Sequence, residues 1–193
     1  MLSVTEPLSI AFFGRPAIEL ARDLLGCVLV HGKAAGMIVE TEAYLGLDDL
    51  AAHASRGKTE RTKVLFGPPG RAYVYFIYGM HECLNVVADR TGTPGCVLIR
   101  ALEPLCGLPG MYERRKWQGP NVGLANGPGK LTQALAITRK QYGQRLDKGE
   151  LTIRRWREKP VFEIRVTPRI GIKECADWPL RFIWAGHPCV SKR

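Results

Sequence analysis

The chain lacks any apolar run near the ~18 residues that would suggest a membrane-spanning helix. Arg15 and Pro16 interrupt its first apolar stretch, and no basic segment leads into it, so a secretory leader is not expected either. Its six cysteines, at 27, 83, 96, 106, 175 and 189, nowhere form a C-x-x-C pair. That removes the zinc-ribbon and thioredoxin-type readings and leaves reduced, mostly buried thiols in a cytosolic protein as the expectation. Its four histidines, His31, His53, His81 and His187, show no metal-ligand spacing, and there is no G-x-S-x-G elbow. "NGPGKLT" is not a phosphate loop: Leu124 stands where that motif needs glycine, and Leu131 where it needs Ser or Thr. What remains there is a Gly/Pro turn opening a helix, either a plain cap or a place for one backbone phosphate. Acids are scarce relative to bases: 18 Asp and Glu against 28 Lys and Arg in 193 residues, a net charge of +10. Such a balance attracts polyanions, whether nucleic acid, ribosome or anionic membrane.

What is present reads as one domain, residues 1–193, with about 1–8 as a loose N-terminal segment. "RPAIELARDLLG" predicts a helix that starts at proline and stops at glycine, with Ile18, Ala21, Leu24 and Leu25 on its apolar face. "CVLVH", "GMIVETEAYLG", "AYVYFIY", "CLNVVAD" and "GCVLIRALEP" predict strands, and so do "LTIRRW", "FEIRVT" and "RFIWA" in the basic last third. "DDLAAHASRGKTERTK" predicts a helical turn running into a basic loop; "GMYERRK" and "KLTQALAI" predict short helices. Short turns, rather than helices, separate most neighbouring strands. This favours an α+β domain with a largely antiparallel sheet and flanking helices over a doubly wound fold.

Two strands carry the chemistry. In "IVETEAYLG" strand alternation places Glu40, Glu42 and Tyr44 on one face and Val39, Thr41 and Ala43 on the other. A solvated face explains the two acids plainly. A buried one would hold a general base, with His53 beyond it to orient a water. Arg100, inside the apolar run "CVLIRAL", calls for a carboxylate partner, either these acids or Glu103. In "YVYFIYG", Tyr73 and Phe76 read as core residues, whereas Tyr78, at the strand end before Gly79, could stack on a base or wedge between bases. Asn85, in the next strand, could read or exclude a base edge. Together these groups suit chemistry on one nucleotide extruded from a duplex.

"GMIVETEAYLG…DDLAAHASRG", "AYVYFIYGMHECLNV", "CVLIRALEPL" and "GPGKLTQALAI", in this order from about Ala11 to Val190, resemble the alkyladenine (3-methyladenine) DNA glycosylases of bacteria and mammals. The resemblance implies a curved antiparallel sheet in a single mixed domain. It implies a monofunctional base-excision repair enzyme without metal, cofactor or Schiff base, acting as a monomer on double-stranded DNA. The enzyme would work in the cytoplasm, or in the nucleus of a eukaryote. Implied substrates are 3-methyladenine, 7-methylguanine, hypoxanthine and ethenoadenine. By the same resemblance Glu42 is the water-activating base and Arg100 its partner. Tyr44 and His53 line the base pocket, Tyr75 faces them across the base, and Leu98 lies against it. Asn85 collides with the 2-amino group of normal guanine. Tyr78 and Met80 belong to the intercalation site. Apart from the resemblance, Lys130 at the Gly/Pro turn and Arg56 in the basic loop are the expected phosphate contacts. His81 and Glu82 depart from the aromatic or apolar pair expected after "YGM". A catalytically silent DNA binder on the same fold is the competing expectation; an acid facing a purine pocket separates the two.

Overall fold

The computed structural model describes residues 4–77, 79–158 and 160–191. Among these residues there are four α-helices, α1 (Ile10–Phe13), α2 (Ala17–Asp23), α3 (Leu108–Arg115) and α4 (Pro128–Ala134). The strands are β1 (Val4–Pro7), β2 (Cys27–His31), β3 (Ala34–Tyr44), β4 (Ala72–Ile77), β5 (His81–Val87), β6 (Cys96–Cys106), β7 (Leu151–Trp156), β8 (Ile164–Thr167) and β9 (Arg181–Trp184). They form one open antiparallel sheet in the order β1-β7-β2-β3-β6-β5-β4, with β9 on β3 and β8 on β9. The architecture is α+β, as the short inter-strand turns predict. Within the segment 1–8, expected to be loose, Val4–Pro7 pairs with β7 and Leu8 donates its amide to Ile153, while residues 1–3 lie outside the described residues.

β3 is the organising strand. Its first half pairs with β2 at Ala34–Met37, and its second half pairs with β9 at Glu40–Glu42, on the edge opposite β6. Two irregularities sit at the crossover. Ile38 pairs with Leu102 and Glu40 with Ala101, which leaves Val39 as an extra residue on β3. Thr41 then pairs with Ile99, which leaves Arg100 as an extra residue on β6. Bulges of this kind re-aim side chains, and this one carries the two glutamates and the arginine of the site.

Beyond the bulges the period-2 alternation holds across β3, β4, β5 and β6. One face presents Ala43, Val97, Ile99, Leu84, Val86, Ala72 and Val74 to the main core, beneath α2 and α4. Thr41 ties this face to α2 by donating to the Ala21 carbonyl at 2.8 Å. α2 buries Ala17, Leu20 and Ala21, while Ile18, expected on the apolar face, is 38% exposed. The other face of the same four strands bears the chemistry.

Candidate active site

Cross-strand register lines up one row of that second face. Arg181 on β9 pairs with Glu42, Glu42 with Leu98, Leu98 with Asn85, and Asn85 with Tyr73. Residues directly opposite in an antiparallel sheet lie side by side, so one residue from each of five strands joins a single strip. Over this strip lies a cavity of about 370 Å³, within the range of roughly 300–1,000 Å³ for small-molecule sites. Leu98, Asn85 and Cys83 form its sheet side, Tyr44, His53, Tyr73 and Tyr75 its aromatic walls, and Arg100 and the segment 170–172 its far end.

Glu40 and Glu42 are both fully buried, so the solvated-face reading of the acids is overturned. They share Arg100: its Nε donates to Glu40 at 2.9 Å, and its Nη1 lies 3.3 Å from Glu42. Glu103, the other acid considered for Arg100, faces His187 instead. Glu40 is saturated with donors, from Arg181 Nε at 2.7 Å and from the amide and hydroxyl of Ser191 at 2.7 and 2.9 Å. Glu42 has fewer. Its Oε1 accepts from the Ile170 amide at 2.8 Å and its Oε2 from the Tyr44 hydroxyl at 3.0 Å. Burial pushes the Glu42 carboxyl above the ordinary carboxylate range, against the pull of Arg100. Glu42 lies just behind the cavity wall: its partners Tyr44, Arg100 and Ile170 line the cavity.

The aromatic wall is uncharged. His53 Nδ1 lies 2.8 Å from the Tyr73 hydroxyl. Burial, helped by Arg61 and Arg56, holds its pKa down at about 4. Burial also raises the Tyr73 phenol to about 12, and raises those of Tyr75 and Tyr44. His53 packs edge-on to Tyr75 with centroids 4.5 Å apart. The two therefore share one wall, whereas the resemblance set them on opposite sides of the base. Tyr44 stands on β3, three strand spacings from β4, or ~14 Å at the backbone. Asn85 is fixed at the sheet side: its Nδ2 donates to the Tyr73 carbonyl at 3.2 Å and its Oδ1 faces the Cys96 thiol at 3.9 Å.

Several expected residues lie outside this cluster. Met80 is 68% exposed at the β4–β5 tip. Tyr78, the proposed wedge, lies outside the described residues. Arg56 is exposed on the 3-10 turn His53–Arg56, and Lys130 is exposed on α4, donating to Asn126 at 2.9 Å. Phe76, read as core, is 41% exposed. Tyr73, also read as core, is buried and lines the cavity as well.

Other residues at the site escaped the sequence reading. Arg169 makes a bidentate, fully buried pair with Asp49, at 2.9 Å for Nη2–Oδ1, and its guanidinium lies 4.6 Å from the Tyr44 ring centroid. Asp49 also accepts the amides of Leu45 and Ala51. This pair clamps the segment whose next residue, Ile170, donates to Glu42. His81, Pro128 and Gly129 also line the cavity. A Cβ on Gly129 would sit 2.9 Å from His81 Cβ, so glycine there lets α4 close on the hairpin. The rule that a buried arginine needs an acid, applied to "PLRFIWA" as it was to "CVLIRAL", would have found Arg181. Nothing in "TPRIG" marks Arg169.

Residues 11–188 match the family model described as methylpurine-DNA glycosylase. A protein of Methanoculleus marisnigri is 50% identical over 192 residues, covering 96% of this chain and 99% of its own. One of Koribacter versatilis is 49% identical over 197 residues, covering 98% and 95%. One of Bacillus cereus is 45% identical over 202 residues, covering 95% and 98%. All three are provisionally named 3-methyladenine DNA glycosylase.

Proposed function

The chain belongs to the methylpurine-DNA glycosylase family, and from that premise we propose that it extrudes a damaged purine from duplex DNA and hydrolyses its N-glycosidic bond at the cavity over β3–β6. The observation that carries this reading is Glu42: a fully buried carboxylate, short of donors, directly behind an uncharged aromatic pocket. A protein that only bound DNA would have no use for it.

In the proposed reaction the extruded base lies over Leu98 and Asn85, with Tyr44 on one side and the Tyr75–His53 pair on the other. Alkylated purines such as 3-methyladenine and 7-methylguanine are cations. Tyrosine faces and a neutral histidine receive them without repulsion, and the ring faces attract them. In the tautomer whose Nδ1 accepts from Tyr73, His53 carries its proton on Nε2. Neutral purines such as hypoxanthine and ethenoadenine would depend more on such hydrogen bonding as they leave. As the C1′–N bond breaks, its electron pair leaves with the purine and positive charge grows on the sugar. Ionised Glu42 stabilises that charge and takes a proton from the water whose oxygen bonds to C1′. Arg100 and the Ile170 amide hold the carboxylate in place. The product is an abasic site.

The test is base release from duplex DNA, methylated or carrying one hypoxanthine, comparing the wild type with Glu42→Gln. Release by the wild type alone is expected, with the variant still binding both duplexes. Tight binding without release by the wild type would sink the reading in favour of a silent binder.

A further inference from the structure

We propose that the groove beside Phe76 is a second DNA subsite, which seats the nucleotide next to the extruded one. Its phosphate would lie on Arg61 and Arg139, and its sugar or base against the Phe76 ring. The inference rests on the cavity over β3–β6 being the base pocket.

Phe76 occupies the core-facing parity of β4, together with buried Ala72 and Val74, yet it lies past the edge of the core and is 41% exposed. An exposed phenylalanine has no hydroxyl to satisfy and gains nothing from water, so its position calls for a cover. Arg139 covers part of it, with its guanidinium 5.2 Å from the ring centroid. Arg139 is itself 68% exposed and is steered by Glu82, 3.4 Å away and opposite Phe76 in the β4–β5 register. Glu82, a departure from the family pattern, thus serves to hold a cation over an aromatic ring. The adjoining groove, of about 490 Å³, is lined by Arg61, Lys63, Tyr75, Phe76, Arg139 and Tyr142, and by one acid. That acid, Glu60, is bound to Lys63 at 2.8 Å. Arg61 lies 5.1 Å from the Tyr75 ring centroid.

Two observations select DNA as the occupant. Excess cation alternating with aromatic faces complements a strand of phosphates and bases. The groove also adjoins the base pocket, because Tyr75 lines both. A strand that sends one nucleotide into the pocket runs its neighbour past this wall.

The test uses the full chain and a duplex with a non-hydrolysable abasic analogue, so that binding is read without cleavage. Arg139→Gln should weaken binding roughly five- to tenfold and lower the slope of log K against log salt by about 0.9, the loss of one phosphate contact. Phe76→Ala should weaken binding by a similar factor with the slope unchanged. Both side chains are exposed, and equal melting temperatures would establish that both variants fold. Single-turnover base release at saturating protein should stay within about twofold of the wild type. Wild-type affinity and slope in both variants would overturn the subsite. So would slowed release with unchanged affinity, which would assign these residues to the base pocket through Tyr75. Failure of the glycosylase reading would look different: the wild type itself would release no base, whatever the variants bind.

Discussion

At the scale of single residues, the role proposed for Glu42 is set against stability. Its carboxyl is raised by burial, so the fold favours the neutral form. For a carboxylate with a raised folded pKa, the stabilising contribution is full below the unfolded value and is lost as pH rises through the folded one. Ionised Glu42, the form that takes the water proton, is therefore a cost that the fold carries. Glu42→Gln should abolish base release while leaving the melting temperature unchanged or raised by ~2–4 °C, about 1 kcal/mol for a chain of this size. A drop of similar size in a thermal melt would show that the charge is structural. The same raised pKa places the acid limb of a pH–rate profile above the ordinary carboxylate range, because only the ionised form takes a proton from water. His53, whose pKa burial holds down at about 4, loses its proton on the acid side of that limb. Asn85 is proposed to act by shape. Its amide is oriented by the Tyr73 carbonyl and the Cys96 thiol, so it meets any exocyclic group on the sheet side of a bound purine. Asn85→Ser should raise guanine release from undamaged duplex above background, as measured by chromatography of released bases. Background release would assign Asn85 to holding β4 and β5 alone.

At the scale of elements, the site was legible where one strand carried it. Strand alternation in "IVETEAY" and "YVYFIY" placed Glu40, Glu42 and Tyr44 together and Tyr73 with Tyr75, because a period of two survives any topology. Three features were illegible for a common reason: they depend on which distant segments meet. The bulge at Arg100 exists only when β3 and β6 pair. The exposure of Phe76 depends on where the core ends beneath β4, which local pattern cannot show. The clamp between Asp49 and Arg169 joins residues 120 apart in sequence. That clamp yields a prediction of its own. Removing one partner of a buried ion pair leaves an uncompensated charge, at roughly 3–5 kcal/mol. Arg169→Met should cost that much in denaturant unfolding, because Asp49 keeps its charge and only its two amide donors. Base release should fall more than stability explains, as Ile170 drifts from Glu42. A variant with full activity per folded molecule would show that the segment 170–172 merely covers the site.

At the scale of the whole molecule, the charges divide into two populations. Among the described residues the buried acids are Glu40, Glu42 and Asp49, and the buried bases are Arg100, Arg169 and Arg181, three against three. They cancel around the cavity, so the net charge of +10 belongs to the surface. Recognition and chemistry should therefore respond differently to salt. If surface Lys and Arg meet phosphates, affinity for undamaged duplex should fall linearly in log K against log salt. Each neutralised phosphate contributes a slope of about −0.9. A free methylated base competing for the pocket meets a wall without net charge, screened little by ions because it is buried. Its inhibition constant should change less than about twofold between 50 and 200 mM salt, over which several phosphate contacts would lower duplex affinity by an order of magnitude or more. Both quantities come from one competition titration at each salt concentration, with a fluorescent duplex displaced by unlabelled duplex or by free base. Parallel loss of both affinities would mean that surface charge reaches into the pocket and that the buried pairs do not cancel. Loss of duplex affinity alone would separate the two: the surface finds DNA, and the neutral pocket selects the base.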